Sequence, residues 1–180
     1  MGVSAAFESL RGGDVVTDAS FEEFISVRGR ELFRVALALC GDPGTAEDVV
    51  QDVYAAVYPR WDRVVVMQQP YAYVRRSVVN RFLAVNRRRA STEVVGLPEG
   101  REPSSDGGLA GADATLSVLA LIQHLPPRAR AVLTLRYLED MDDSAIADLL
   151  GITRVTVAST ASRALRRLAI ETPDLDGAPR

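Results

Sequence analysis

The chain has 180 residues, 47% of them hydrophobic and 25% charged, a composition that describes a folded globular protein and excludes a disordered polymer. A single cysteine, Cys40, and a single histidine, His124, exclude an internal disulfide, a zinc cluster and a Ser-His-Asp triad, so no metal, cofactor or catalysis is expected. The net charge of -3 argues by itself against a nucleic-acid binder, but the charge is sorted: Ser20 to Arg63 holds five arginines against eight acids, whereas Pro70 to Ala90 holds six arginines and no acid.

In chain order, residues 1–19 read as an N-terminal extension with no signal-peptide pattern, and no run of eighteen apolar residues follows anywhere. The expected setting is therefore the cytoplasm, without a membrane span. Ser20 with Glu23 forms a capping-box pattern, which predicts a helix starting there and carrying Phe21, Phe24, Ile25, Leu32, Val35, Ala36 and Leu39 inward, with Cys40 on the apolar side. Gly41 to Gly44 breaks it. Thr45 with Asp48 repeats the capping pattern before a second helix, whose apolar residues Val49, Val50, Val53, Tyr54 and Val57 leave Glu47, Asp48, Gln51 and Asp52 on the opposite face, and Pro59 ends it.

Trp61 to Gln69 reads as a less regular loop. Pro70 suits a first helical position, and Tyr71, Val74, Val78, Phe82 and Val85 follow at helical spacing. Tyr73, Arg76, Asn80, Leu83 and Arg87 share roughly the other side, so the third helix is apolar inward and mostly basic outward. Residues 91–112 hold five glycines, two prolines and four acids (Glu93, Glu99, Glu102, Asp106) against one arginine, which reads as a flexible acidic linker.

A second helical block is expected over 113–170, first with Leu116, Leu119, Ala120 and Ile122, then from Pro126-Pro127 through Leu138, with His124 at a helix end. Asp142 is placed to cap a short helix with Ile146, Leu149 and Leu150, Gly151 to take a left-handed turn, and Thr153 to cap a last helix. No useful strand alternation appears. The expected fold is all-α: two small helical domains, 20–90 and 113–170, joined by the linker 91–112 and followed by a tail at 171–180.

On the last helix Val157, Ala161, Ala164 and Leu168 form one stripe, while Arg154, Thr156, Ser159, Ser162, Arg163 and Arg166 lie largely outside it. A short helix, a glycine-containing turn and a second helix with a polar start is the helix-turn-helix pattern, whose second helix enters the major groove. A solvated helix packed on its neighbour gives the same periodicity, so the pattern alone leaves both readings open.

The whole chain narrows the choice. "AEDVVQDVY" (46–54), "AYVRRSVVNRFL" (72–83), "LPPRARAVLTLRYLED" (125–140) and "IADLLGI" (146–152) stand in the order and spacing of the extracytoplasmic-function (group IV) sigma factors of bacterial RNA polymerase, and the chain resembles their actinobacterial SigE-like branch. That resemblance covers nearly everything from 21 to 168. It implies a factor that binds the polymerase core and directs initiation at minus-ten and minus-thirty-five promoter elements. Asp48, Gln51, Asp52 and Trp61 would dock on the β' clamp helices, with the β subunit as a further contact, and residues 63–69 would receive a flipped base.

Tyr73, Arg76, Asn80, Arg81 and Arg87 would supply the minus-ten surface, which needs cations along phosphates and groups that stack on or hydrogen-bond to unpaired bases. Arg154, Thr156, Ser159, Ser162, Arg163 and Arg166 would read the minus-thirty-five duplex. An anti-sigma protein is an admissible partner, although no residue identifies one. The chain departs from the family where "TRVTVAS" (153–159) places Val155 for a glycine and Ala158 for a lysine. Two rivals stand beside this reading: a helix-turn-helix regulator that works without polymerase, and a degenerate sigma homologue that serves as a protein-interaction module.

Overall fold

The computed structural model describes residues 3–93 and 120–171, with side chains placed over 20–90 and 120–170. The linker beyond Glu93, Leu116, Leu119 and the tail beyond Glu171 lie outside the described residues. Helix α1 spans Val3–Cys40, α2 Pro43–Val57, α3 Trp61–Val65 after a short 3-10 turn at Tyr58–Arg60, and α4 Pro70–Glu93. Residues 120–123 are helical, and α5 (Pro127–Leu133) runs into a wide π turn at Thr134–Leu138 before α6 (Asp143–Leu150) and α7 (Arg154–Glu171). No strand occurs among the described residues.

The apolar stripes form the core as their spacing requires. Leu32, Val35, Ala36 and Leu39 of α1 meet Val49, Val53 and Val57 of α2 and Val74, Val78, Val79 and Phe82 of α4, all buried. In the second block Val132, Leu135, Ile146, Val157, Ala161 and Ala164 are buried together. Burial of a Val- or Leu-sized side chain is worth about 1.5–3 kcal/mol, so these stripes, rather than helix propensity, hold the helices in place.

Four local expectations are corrected. Ser20 caps no helix, because α1 runs through it; its hydroxyl instead accepts a hydrogen bond from the Trp61 indole N–H at 2.8 Å. The cap of α2 is Asp42, whose carboxylate accepts from the Thr45 amide at 2.8 Å with Pro43 at the first helical position. Trp61 opens a helix rather than a loop and is 1% exposed, packed at 5.1 Å from the Phe21 ring and 4.8 Å from that of Phe24. The third helix also runs past Ala90, to Glu93.

The two blocks pack on each other through a polar seam over a shared core. The free carbonyls at the end of α1 are met by the second block: Gln123 donates to the Ala38 carbonyl at 3.0 Å and Arg130 to the Leu39 carbonyl at 2.6 Å. A cation at a helix C-terminus is favoured by the dipole as well as by the unfilled acceptors. Arg130 also donates to the Gln123 side chain and the Leu125 carbonyl and lies over the Phe82 ring at 5.5 Å. Its burial lowers the guanidinium pKa from its ordinary value.

Gly41 sits under Gln123 with a positive φ of 86°, and a Cβ there would meet the Gln123 side chain at 2.5 Å, so both backbone and space call for glycine. On the other side of the seam the π turn delivers Glu139, which accepts from the Tyr71 hydroxyl at 3.0 Å and from Arg75 at 2.8 Å. The side chains of Arg75 and Glu139 are only 14% and 6% exposed. Burial first, and then the Glu139 charge, raise the Tyr71 phenol well above its ordinary pKa.

Cys40 packs partly buried against the core, as its place on the apolar side of the first helix implied. Burial, with the Asp42 charge second, pushes its thiol up to about 12 from the ordinary 9.0. Raising the folded value places the thiol's stabilising contribution below pH 9 and removes it as pH climbs toward 12. At pH 8 the shift leaves about a thousandfold less thiolate than in an unfolded chain. Alkylation by iodoacetamide at that pH is expected to be slower in the native protein by a comparable factor, and equal rates before and after denaturation would contradict the burial.

Candidate nucleic-acid interface

Two exposed faces carry the groups singled out in the sequence. The first lies on α4. Tyr73, Arg76, Asn80 and Arg87 recur at steps of three, four and seven, which puts them on one side of the helix; Arg76, Asn80 and Arg87 are exposed and Tyr73 is half-buried. Because α4 buries Val74, Val78, Val79 and Phe82 on its other side, this stripe must face outward.

The basic face is smaller than the arginine count implied. Arg75 is spent in the seam on Glu139. Arg81 turns to α2, where its Nε and Nη2 donate to Asp52 at 2.9 and 2.5 Å. Thus Asp52 and Arg81, expected on separate partner surfaces, hold each other across an open groove lined also by Ala56, Arg60, Tyr73 and Ser77. With side chains 50% and 37% exposed, this pair contributes at most about 1 kcal/mol and is screened by salt. A phosphate or an incoming cation can displace it at little cost.

On α2, Asp48 and Gln51 are exposed beside Asp52 and form an outward polar face. Trp61 itself presents no surface; it is the buried support of that corner. Beyond it, Val65, Val66 and Met67 stand exposed at 39%, 80% and 42% in the stretch that leads to α4.

The second face is α7, delivered by a helix-turn-helix whose parts match their sequence signals. Asp142 caps α6 by accepting from the Ala145 amide at 2.9 Å. Gly151 takes φ 63° and ψ 42°, the left-handed conformation that ends α6, and Ile152 donates back to the Ala147 carbonyl at 3.1 Å. Thr153 caps α7 by accepting from the Thr156 amide at 3.1 Å. An ion pair between Arg136 and Asp143 ties α6 to the π turn, and that hydrogen bond raises the Arg136 pKa.

With Val157, Ala161 and Ala164 buried, α7 turns Val155, Ser159, Ser162 and Arg166 outward at steps of four, three and four. Arg154, Ser162, Arg163 and Arg166 are exposed, whereas Thr156 and Ser159 are half-buried. Arg163 folds back to the Ser159 carbonyl at 3.1 Å and its hydroxyl at 3.3 Å, and Arg166 to the Ser162 carbonyl at 3.4 Å. These are weak intrahelical bonds on exposed side chains, so both guanidinium groups remain available to stronger acceptors. Among the described residues no His/Cys/Asp/Glu group is arranged to hold a metal, and no helix is long and apolar enough to cross a membrane.

Comparison with known proteins converges on both blocks. The Sigma-70 region 2 family model matches residues 24–92, and the Sigma-70, region 4 model matches residues 115–168. The RNA polymerase sigma-E factor of Streptomyces coelicolor is 36% identical over 153 residues, covering 84% of this chain and 85% of that protein. The ECF RNA polymerase sigma factor SigE of Mycolicibacterium smegmatis is 29% identical over 178 residues, covering 92% of this chain and 65% of that protein. Among solved structures, the sigma factor RpoE in complex with the anti-sigma factor NepR from Bartonella quintana superposes with a TM-score of 0.65 at 22% identity, over 87% of this chain and 98% of that one. CnrH in complex with the cytosolic domain of CnrY gives 0.58 at 22% identity, over 87% and 90%.

Proposed function

This chain belongs to the sigma-70 family of RNA polymerase sigma factors, of extracytoplasmic-function type, and from that premise we propose how its two outward faces divide the reading of one promoter. As a sigma factor it directs promoter-specific transcription initiation. The α4 stripe of Tyr73, Arg76, Asn80 and Arg87 takes the opened minus-ten strand, with Arg81 joining once Asp52 is drawn to another partner. The α7 face takes the minus-thirty-five duplex. Asp48, Gln51 and Asp52 on α2 dock the polymerase core at the β' clamp helices, and Trp61 acts from beneath as their support. It works beside the polymerase in the cytoplasm and catalyses nothing on its own.

The observation that carries this reading is the pairing of two separate exposed arginine faces in a chain whose two halves match regions 2 and 4. A helix-turn-helix regulator that works alone leaves the match over 24–92 without a purpose. One structural relative was solved with an anti-sigma factor and another with the cytosolic domain of CnrY, and the reading includes an anti-sigma protein as a partner.

Promoter geometry adds a requirement. Elements named for positions 10 and 35 lie about 25 base pairs apart, or about 85 Å of duplex. A compact fold of this length has a radius of gyration of about 16 Å. The closed seam therefore has to open before both faces reach one promoter.

Arg154→Ala and Arg163→Ala are each expected to weaken promoter binding by the holoenzyme and to reduce the salt dependence by about one phosphate equivalent. Unchanged affinity of both variants in a low-salt titration would reject the assignment of α7 to duplex DNA.

A further inference from the structure

The first turn of α7 presents an apolar group where a polar reading surface is expected. Val155 is 78% exposed, although it lies on the same stripe as Ser159, Ser162 and Arg166, turned away from the buried Val157, Ala161 and Ala164. The fold does not account for it: a β-branched residue lowers helix propensity, and at this exposure it gains almost nothing from packing.

The neighbouring hydroxyls are already engaged. Thr153 accepts from the Thr156 amide at 3.1 Å, and the Thr153 and Thr156 hydroxyls bond to each other at 2.8 Å. At the leading end of the helix, the groups left to a groove are the Arg154 guanidinium and the two methyls of Val155. In the major groove thymine alone offers an apolar feature, its 5-methyl group; the edges of the other three bases offer hydrogen-bond donors and acceptors.

We propose that Val155 is a specificity-determining residue that packs on the 5-methyl group of one thymine in the minus-thirty-five element. This rests on the assignment of α7 to duplex DNA. Arg154 supplies a cation beside the contact, and Ser162 and Arg166, about 10 and 16 Å further along the helix, fall toward the groove edge and its phosphates. The contact discriminates by shape and apolarity, so it adds no counterion release.

The test uses holoenzyme reconstituted from core polymerase and the full chain. A duplex library randomised over the minus-thirty-five element is selected for binding, and each thymine of the selected site is then replaced singly by deoxyuridine, which removes only the methyl. One such replacement is expected to weaken wild-type binding by about fourfold, the worth of one buried methyl group. With Val155→Ala the same replacement changes nothing, while the salt dependence matches wild type. Alanine is the better helix former at this exposed position, so the variant keeps the thermal midpoint of the parent.

Indifference of the wild type to every thymine-to-deoxyuridine change, or equal sensitivity in Val155→Ala, overturns the contact and leaves the duplex-reading assignment standing. Failure to enrich any sequence overturns both.

Discussion

Glu139→Ala is expected to destabilise the protein by about 3–5 kcal/mol, the cost of removing one partner from a buried ion pair. The carboxylate leaves behind Arg75, whose side chain is 14% exposed and whose Nε already lacks a partner, together with the Tyr71 hydroxyl. Both are only partly open to water while the seam stays shut, so the chain relieves the penalty by opening the seam or by unfolding. Thermal denaturation followed by circular dichroism should show a midpoint lower by about 10 °C. A donor–acceptor dye pair placed on α2 and α7 separates the two routes, because opening lowers transfer at temperatures where helicity is intact. A variant with parental midpoint and parental transfer would show that Glu139 holds nothing together. Glu139→Gln keeps an acceptor for both donors and should fall between the two.

Trp61→Ala carries the second large effect, again about 3–5 kcal/mol, here from emptying a fully buried aromatic site. The indole packs on Phe21 and Phe24 and donates to Ser20, so its loss frees the middle of α1 from α3. Trp61→Phe preserves most of the packing and deletes the hydrogen bond to Ser20, which is worth about 1 kcal/mol. Urea denaturation of both variants gives the two magnitudes. The Phe variant also separates support from docking. A buried support leaves affinity for core polymerase at the parental level, whereas a docking residue loses it, and such a loss in a stably folded Trp61→Phe protein would overturn the placement of Trp61 beneath the α2 face.

Sequence chemistry that acts within a few residues was legible in advance, and chemistry that acts across the fold was not. Asp142, Gly151 and Thr153 announced the helix-turn-helix because each meets a backbone group three or four positions away. The apolar stripes of α1, α2, α4 and α7 likewise declared which sides face inward, since helical periodicity converts spacing into direction. Ser20 misled because its hydroxyl has a stronger use 41 positions along, at Trp61, than as a cap. Asp42 and Thr45 both suit a cap by residue type, and only the backbone shows that Asp42 is the extended one.

The arginine run of α4 shows the same limit in the site itself. Six arginines without an acid read as one basic face, yet Arg75 meets Glu139 64 positions away and Arg81 meets Asp52 29 positions away. Charge counted along the chain takes no account of acids delivered by other helices. What remains outward is a narrower stripe, Tyr73, Arg76, Asn80 and Arg87, with Arg88 and Arg89 also exposed toward the helix end, and it suits the threading of a single strand better than the coating of a duplex. The seam was invisible for a related reason. Gln123, Arg130 and Glu139 belong to stretches that read as parts of ordinary helices, and only the turn at Thr134–Leu138 and the glycine at 41 bring them against α1 and α4.

The most direct measurement is transcription in vitro with core polymerase freed of other sigma factors, supplied with this chain and a library of promoter fragments. Transcripts are expected to start at fixed positions downstream of a shared pair of elements and to fall sharply with Arg76→Ala or Arg163→Ala. RNA synthesis no greater than that of core polymerase alone, on every fragment, would contradict it.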